Sequence, residues 1–216
     1  MAANRDNGQG VFITFEGIDG CGKSTQAERL AAFLKKTPGA EGVLRTFEPG
    51  GWKGGRLLRD LLLGDTPLGL RTELLLFLAD RSGHLDAEIL PALRQKQWVI
   101  CERYTDSTFA YQSWGRGGSF SEMESLFQWC RFPVPDLTIF LDIDLDAAFS
   151  RLTARGGTDR IESDGRAFMG RVAEGFRELA KRAPERIVTV DAGRSVEQVA
   201  ENVREHVTAL LETLRG

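Results

Sequence analysis

The chain has 216 residues, 42% of them apolar, and a formal net charge of −3, which suffices for one substantial core and supplies no basic field for a nucleic-acid partner. Its three cysteines, Cys21, Cys101 and Cys130, lie far apart without a CxxC pair. That excludes a zinc ribbon or a disulfide framework and predicts a reduced, cytoplasmic setting. No run approaches the ~18 apolar residues of a membrane span, and the polar start lacks the apolar stretch of a secretion signal.

Residues 1–10 read as a disordered lead-in to a single domain over 11–216. Val11 to Phe15 is an apolar, β-branched and aromatic run of strand length. Gly17-Ile18-Asp19-Gly20-Cys21-Gly22-Lys23-Ser24 follows and satisfies GxxxxGK[ST]. In such a loop successive N–H groups converge on phosphate oxygens, and the next helix adds the positive end of its dipole. Lys23 is expected to reach the β- and γ-phosphates, and the Ser24 hydroxyl to ligate Mg²⁺. Ala27, Leu30, Ala31 and Leu34 then fall on one helical face, giving the strand, loop and helix order the motif requires. Cys21 reads as a small loop-filling residue.

Val43 to Phe47 predicts a second strand, Glu48-Pro49-Gly50-Gly51 a turn, and residues 54–63 a helix. Residues 71–90 predict a long helix, apolar on nearly every side from Leu74 to Ala79; one face is expected on the sheet and another on a second subunit, as a homodimer. Trp98 to Cys101 reads as strand three, with Glu102-Arg103-Tyr104 at its carboxyl edge, where ligands of parallel sheets gather. A short helix over 106–113, a loop over 114–118 and a helix over 121–130 lead to strand four, Leu137 to Leu141. Helices over 146–155 and 167–182, strand five at Ile187 to Val190, and a final amphipathic helix complete the chain. Strands alternating with helices predict a three-layer α/β/α sandwich on a five-stranded parallel sheet.

A triphosphate held by the loop can pass its γ-phosphoryl to water or to a small acceptor. A switch GTPase needs an NKxD sequence, which is absent, and a DxxG after a strand; Asp80 to Gly83 fits those letters but lies in a helical pattern. The arginines favour a kinase: Arg103 follows strand three, Arg81 lies four residues after Phe77, and Arg151, Arg155 and Arg160 flank Gly156 and Gly157. Guanidiniums can offset the repulsion between two polyphosphates, and an ionised phosphate acceptor needs no general base. A deoxynucleoside kinase, with Glu102 as base, and a non-catalytic ATP-sensing module are the alternatives.

The blocks FEGIDGCGKST (Phe15 to Thr25), EPGG (Glu48 to Gly51), ERYTDSTFAYQ (Glu102 to Gln112), PDLTIFLD (Pro135 to Asp142) and RGGTDRIE (Arg155 to Glu162) resemble, in order, those of bacterial thymidylate kinases of the nucleoside monophosphate kinase superfamily. The resemblance implies a P-loop kinase fold and transfer of phosphate from ATP, with Mg²⁺, to dTMP. It implies that residues 17–25, including Thr25, hold ATP. Asp19 would meet the 3′-hydroxyl of dTMP, Phe77 would stack on thymine and Arg81 would bond the base. Arg103 and Arg59 would grip the phosphate, Thr108 and Gln112 would read the base edge, and Tyr111 would pack beside the sugar. Glu102 would serve magnesium, with Asp142 as its rival. Gly20 stands where some members carry an arginine, so the lid near 155–165 would supply the catalytic guanidinium from Arg155 or Arg160. The family's usual arginine before EPGG is Phe47 here, with Arg45 and Lys53 as candidate substitutes. His84 and His206 read as surface or packing residues without carboxylate or cysteine neighbours.

Overall fold

The computed structural model describes residues 9–38, 42–155 and 165–215. The lead-in over 1–8 and the lid centre over 156–164, including Gly156, Gly157 and Arg160, lie outside them. Gly10, assigned by sequence to the lead-in, is buried, and its N–H donates to Leu93 O at 2.8 Å.

Strands β1 (Val11–Glu16), β2 (Val43–Phe47), β3 (Trp98–Glu102), β4 (Leu137–Asp142) and β5 (Ile187–Asp191) form one parallel sheet in the order β2-β3-β1-β4-β5. Burial follows position. β1 is buried throughout and β3 and β4 nearly so, in keeping with their near-continuous apolar runs, whereas the edge strands β2 and β5 are partly exposed. Four strands run one residue beyond their last apolar position and end on a carboxylate: Glu16, Glu102, Asp142 and Asp191. Ladder hydrogen bonding continues past the hydrophobic signal, so the carboxyl edge of the sheet is acidic where the site is built.

Helix α1 (Lys23–Leu34) packs Ala27, Leu30, Ala31 and Leu34 into the main core. Helix α2 (Gly55–Leu63) is short and borders α3 (Leu70–His84). The long helix does not stop at residue 90. It widens into a π-helical turn over Leu85–Ile89 and resumes as α4 (Leu90–Arg94), which passes Pro91 near its first position, where a missing N–H is tolerated. The expected division of its faces is also different. Leu74 and Leu78 pack on Met123 and Phe127 of α6 (Phe120–Cys130), and the sheet is met by Leu85, Ile89, Ala92 and Leu93. Leu75 is left 58% exposed.

The segment after β3 is helical for longer than its sequence indicates: α5 (Thr105–Thr108) runs into a second π-helical stretch, Phe109–Gly115, that absorbs Trp114 and Gly115. Helices α8 (Arg166–Arg182) and α9 (Val196–Arg215) pack on β4 and β5, and α7 (Leu145–Arg155) borders α8. Among the described residues no helix is long and apolar enough to cross a membrane.

Candidate active site

The loop between β1 and α1 leaves the sheet at β1, which lies between β3 and β4. Open parallel sheets present their ligand crevice at such a reversal of strand order. Gly17 and Gly20 adopt positive φ, 137° and 83°. A Cβ on Gly20 would lie 2.5 Å from Ala148 O of α7, so this backbone has no room for any larger residue there, an arginine included. Lys23 Nζ folds back onto Gly17 O (3.0 Å) and Ile18 O (2.9 Å) and lies 3.7 Å from Asp19. Cys21 is buried beneath the loop, and burial raises its thiol pKa, against the partial opposition of Lys23. That fits the filling role.

A cleft of about 370 Å³ opens beside the loop. Asp19, Arg59, Phe77, Arg81, Arg103, Thr108, Tyr111 and Gln112 all line it, together with Lys23, Ser24 and Glu102. Phe47, Glu48, Pro49, Leu63 and Ser107, given no site role by the sequence, line it too.

Arg103 is the centre of the polar wall. Its φ of 65° puts a residue with a Cβ in the left-handed region, a strain of about 1–3 kcal/mol that survives only where the surroundings overdetermine it. Here they do. Its N–H donates to Phe15 O at 2.9 Å, Nη2 donates to Asp19 (2.6 Å) and Tyr111 OH (3.1 Å), and Nη1 donates to Ser107 Oγ (3.2 Å). The guanidinium also lies over the Tyr111 ring at 4.9 Å. Burial by itself would raise the Asp19 pKa, but Arg103 and Lys23 outweigh it and hold the carboxyl well below its usual range. Asp19 is thus ionised, a ready acceptor for a hydroxyl.

Arg81 is 1% exposed and largely engaged within the protein. Nε donates to Glu48 (2.8 Å), Nη1 to Thr108 Oγ1 (3.0 Å) and Nη2 to Tyr104 O (2.9 Å). It therefore holds Thr108 and the EPGG turn in place at the cleft floor. Gln112 donates to the buried Glu73 at 2.9 Å. His84 is a packing residue, not a surface one, and it does have carboxylate and cysteine neighbours: it is buried, with Nδ1 3.1 Å from Glu48 and Nε2 2.7 Å from Thr46 Oγ1. Its partners come from β2 and the following turn, too distant in sequence for local spacing to reveal. Glu48, His84 and Cys101 bring donor atoms within 4.8 Å of one another. They make a poor cation site, because Arg81 already neutralises Glu48 and burial pushes the Cys101 thiol well up.

Ser24 Oγ donates to Glu102 Oε2 at 2.5 Å, while Asp142 receives Nε (3.1 Å) and Nη2 (3.0 Å) of Arg177. Of the two rival carboxylates, Glu102 is the one that meets the loop serine. Arg45 reaches Ser24 O (3.5 Å) and lies 3.9 Å from Glu102, behind two residues that line the cleft with Phe47. The Phe47 ring sits under Arg59 at 5.3 Å, and Arg59 donates to Pro49 O at 2.6 Å. Lys53 is exposed, and neither it nor Arg45 lines the cleft. Trp52 docks the turn on α3 by donating to Asp80 at 3.0 Å. Arg151 is no idle surface charge; it donates to Ala192 O (3.0 Å) and Gly20 O (3.4 Å), bracing the loop.

The thymidylate kinase family model matches residues 15–203. The chain belongs to the thymidylate kinase family. It is 44% identical over 210 residues to the thymidylate kinase of Alkalilimnicola ehrlichii, covering 95% of this chain and 93% of that one. It is 46% identical over 200 residues to that of Gluconobacter oxydans, covering 89% and 92%. The solved thymidylate kinase of Ehrlichia chaffeensis is 34% identical, with a TM-score of 0.77 over 92% of this chain and 98% of that one. As a thymidylate kinase family enzyme, the chain has the five-stranded parallel α/β architecture expected of it. Glu16, to which the sequence reading gave no role, is also buried here; its signals were its place in the FEGIDGCGKST block and a carboxylate ending a mostly apolar strand.

Proposed function

We propose that this enzyme moves the γ-phosphoryl of ATP onto the 5′-phosphate of dTMP through two subsites that meet at Lys23. Its family establishes dTMP phosphorylation as the reaction. The observation that carries the two-subsite reading is that all eight residues assigned to dTMP line one cleft beside Lys23 and Ser24 of the triphosphate loop. Residues 17–25 hold ATP, with Lys23 leaving the loop carbonyls for the phosphates. Arg103 and Arg59 bind the dTMP phosphate, Asp19 accepts from the 3′-hydroxyl, and Phe77 stacks on the base while Thr108 and Gln112 bond its edge. Tyr111, bonded to both Arg103 and Asp19, closes the sugar side.

The acceptor phosphate is ionised near neutral pH, so catalysis is positioning plus neutralisation of charge, and no side chain need take a proton. The family uses a metal ion with ATP. The Ser24 hydroxyl and Glu102 carboxylate are hard oxygen donors in contact and fit Mg²⁺. Such an ion, when bound, screens the charge of the β- and γ-phosphates. Arg155 or Arg160 supplies the guanidinium that meets the phosphoryl in transit. Exposed Leu75 on α3 supports a homodimer through that helix; Leu75→Glu should shift the sedimentation coefficient to that of a monomer.

Turnover of a nucleoside monophosphate panel with ATP and Mg²⁺ tests the reading. dTMP should be the preferred acceptor, and Arg103→Ala should abolish most of that rate. Phosphorylation of thymidine without phosphorylation of dTMP would refute it.

A further inference from the structure

Glu16 has no role in the account above, yet it is one of the least expected residues in the molecule. It is a carboxyl with no solvent exposure, ending the central strand one residue before the phosphate loop. Oε1 accepts from the Tyr104 N–H at 2.7 Å, and Oε2 accepts from the Ser107 hydroxyl at 2.5 Å. The Ser107 oxygen accepts in turn from Arg103 Nη1 at 3.2 Å. These contacts make a directed chain: guanidinium N–H to serine oxygen, serine O–H to carboxylate. Each donor is polarised by the next acceptor, and the chain ends on a negative charge that attracts the cation at its start. Burying a carboxyl costs several kcal/mol unless it is well bonded, and a strand terminus needs no charge there.

We propose that Glu16 is a positioning residue for the acceptor phosphate: through Ser107 Oγ and the Tyr104 N–H it fixes the strained Arg103 backbone and aims its guanidinium into the dTMP cleft. This rests on reading Arg103 as the phosphate clamp. Arg103 already has Asp19 as a competing partner at 2.6 Å. A second anchor on Nη1 keeps the guanidinium plane fixed when Asp19 turns to a ligand hydroxyl.

Charge around Glu16 sets when the anchor is ionised. Burial and the neighbouring Asp106 push the carboxyl up to about 7, against Ser107, Arg103 and the Tyr104 N–H. Asp106 is itself paired with Arg186 at 2.7 Å. The thiol of Cys101 on β3 stays protonated, and β4 presents Thr138, whose hydroxyl meets Thr14 at 2.8 Å. From the loop, Asp19 and Lys23 act on the far side of Arg103. The anchor therefore strengthens as pH rises through neutrality.

The test is calorimetric titration of dTMP and, separately, of a non-hydrolysable ATP analogue into wild type, Glu16→Gln, Ser107→Ala, the double variant and Arg103→Lys. Glu16→Gln keeps the size and removes the charge; Ser107→Ala breaks the chain without burying anything new. Each should weaken dTMP about tenfold, as expected for a bond to a charged group. The double variant should be little worse than either single one, since both cut the same chain. Affinity for the analogue should stay within about twofold. The ratio of Glu16→Gln to wild-type dTMP dissociation constants should grow between about pH 6 and about pH 8.5, a comparison that cancels ionisation of dTMP itself. Wild-type dTMP affinity in a folded Glu16→Gln and in Ser107→Ala, additive losses, or equal loss for the analogue overturns the proposal. Unchanged affinity in Arg103→Lys defeats the clamp reading and the proposal with it; loss there alone defeats only the role of Glu16.

Discussion

Replacing Arg81 by methionine separates two roles that one side chain could hold. The guanidinium is buried among the rings of Tyr104, Phe132 and Phe127, at 5.0, 5.6 and 5.8 Å, and bonds Glu48, Thr108 and Tyr104 O. Methionine keeps most of the apolar packing but strands the Glu48 carboxylate in the interior with His84 as its nearest partner. Breaking a buried pair from one side costs about 3–5 kcal/mol. For a domain of this size each kcal/mol moves Tm by about 2–4 °C, so a fall of about 6–20 °C is expected in scanning calorimetry. Adding Glu48→Gln to Arg81→Met should recover about 1 kcal/mol or more, because the stranded charge is then gone. A Tm within about 3 °C of wild type, or no recovery in the double variant, would refute the structural role. Lost dTMP affinity at unchanged Tm would make Arg81 a base reader and nothing else.

Four further outcomes can be checked directly. Gly20→Ala carries a Cβ 2.5 Å from Ala148 O at a φ of 83°; the backbone conformation alone costs about 1–2 kcal/mol, and ATP-analogue affinity should fall, so an unaltered Tm and affinity would disprove the close approach. Cys21 and Cys101, buried with raised thiol pKa values, should resist a thiol reagent in the native protein, and mass mapping that finds Cys21 modified at the rate of a free thiol would contradict this. Arg155→Ala or Arg160→Ala should lower kcat far more than it weakens dTMP binding, since the contact forms in the transition state; equal loss of affinity at constant kcat would mark a ground-state clamp. Glu16 holds its proton up to about pH 7 in the fold and releases it near the ordinary carboxylate value when unfolded. The folded state thus binds more protons between those values, and stability from this group declines as pH rises through that window. Denaturant titrations of wild type and Glu16→Gln should therefore converge at low pH and separate above it, and parallel curves would contradict the shift.

The strands, the phosphate loop and the order of elements were legible because each depends on local pattern: apolar runs of strand length, glycine spacing and helical periodicity. The family blocks added the cleft residues, and all eight named for dTMP do line it. The misread features have a common cause. His84 was taken for a lone histidine because its partners Glu48 and Thr46 lie 36 and 38 residues away. The long helix was ended before Pro91 because single-residue preference cannot foresee a π-helical turn. One face of its greasy middle was expected on the sheet and another on a second subunit, whereas Leu74 and Leu78 pack on α6.

What this chain specifies without its fold is therefore the presence of a triphosphate loop, a parallel sheet and a supply of arginines, since those signals are written in neighbouring residues. Which arginine spends its donors on structural bonds and which is held beside the phosphate loop was decided only by packing. Arg81 and Arg103 look equivalent as letters, yet one is tied to Glu48, Thr108 and Tyr104, and the other is braced between Asp19, Ser107 and Tyr111 in the polar wall of the cleft. The physical reason is that a guanidinium takes its role from the acceptors around it, and those acceptors come from segments that only the folded sheet brings together.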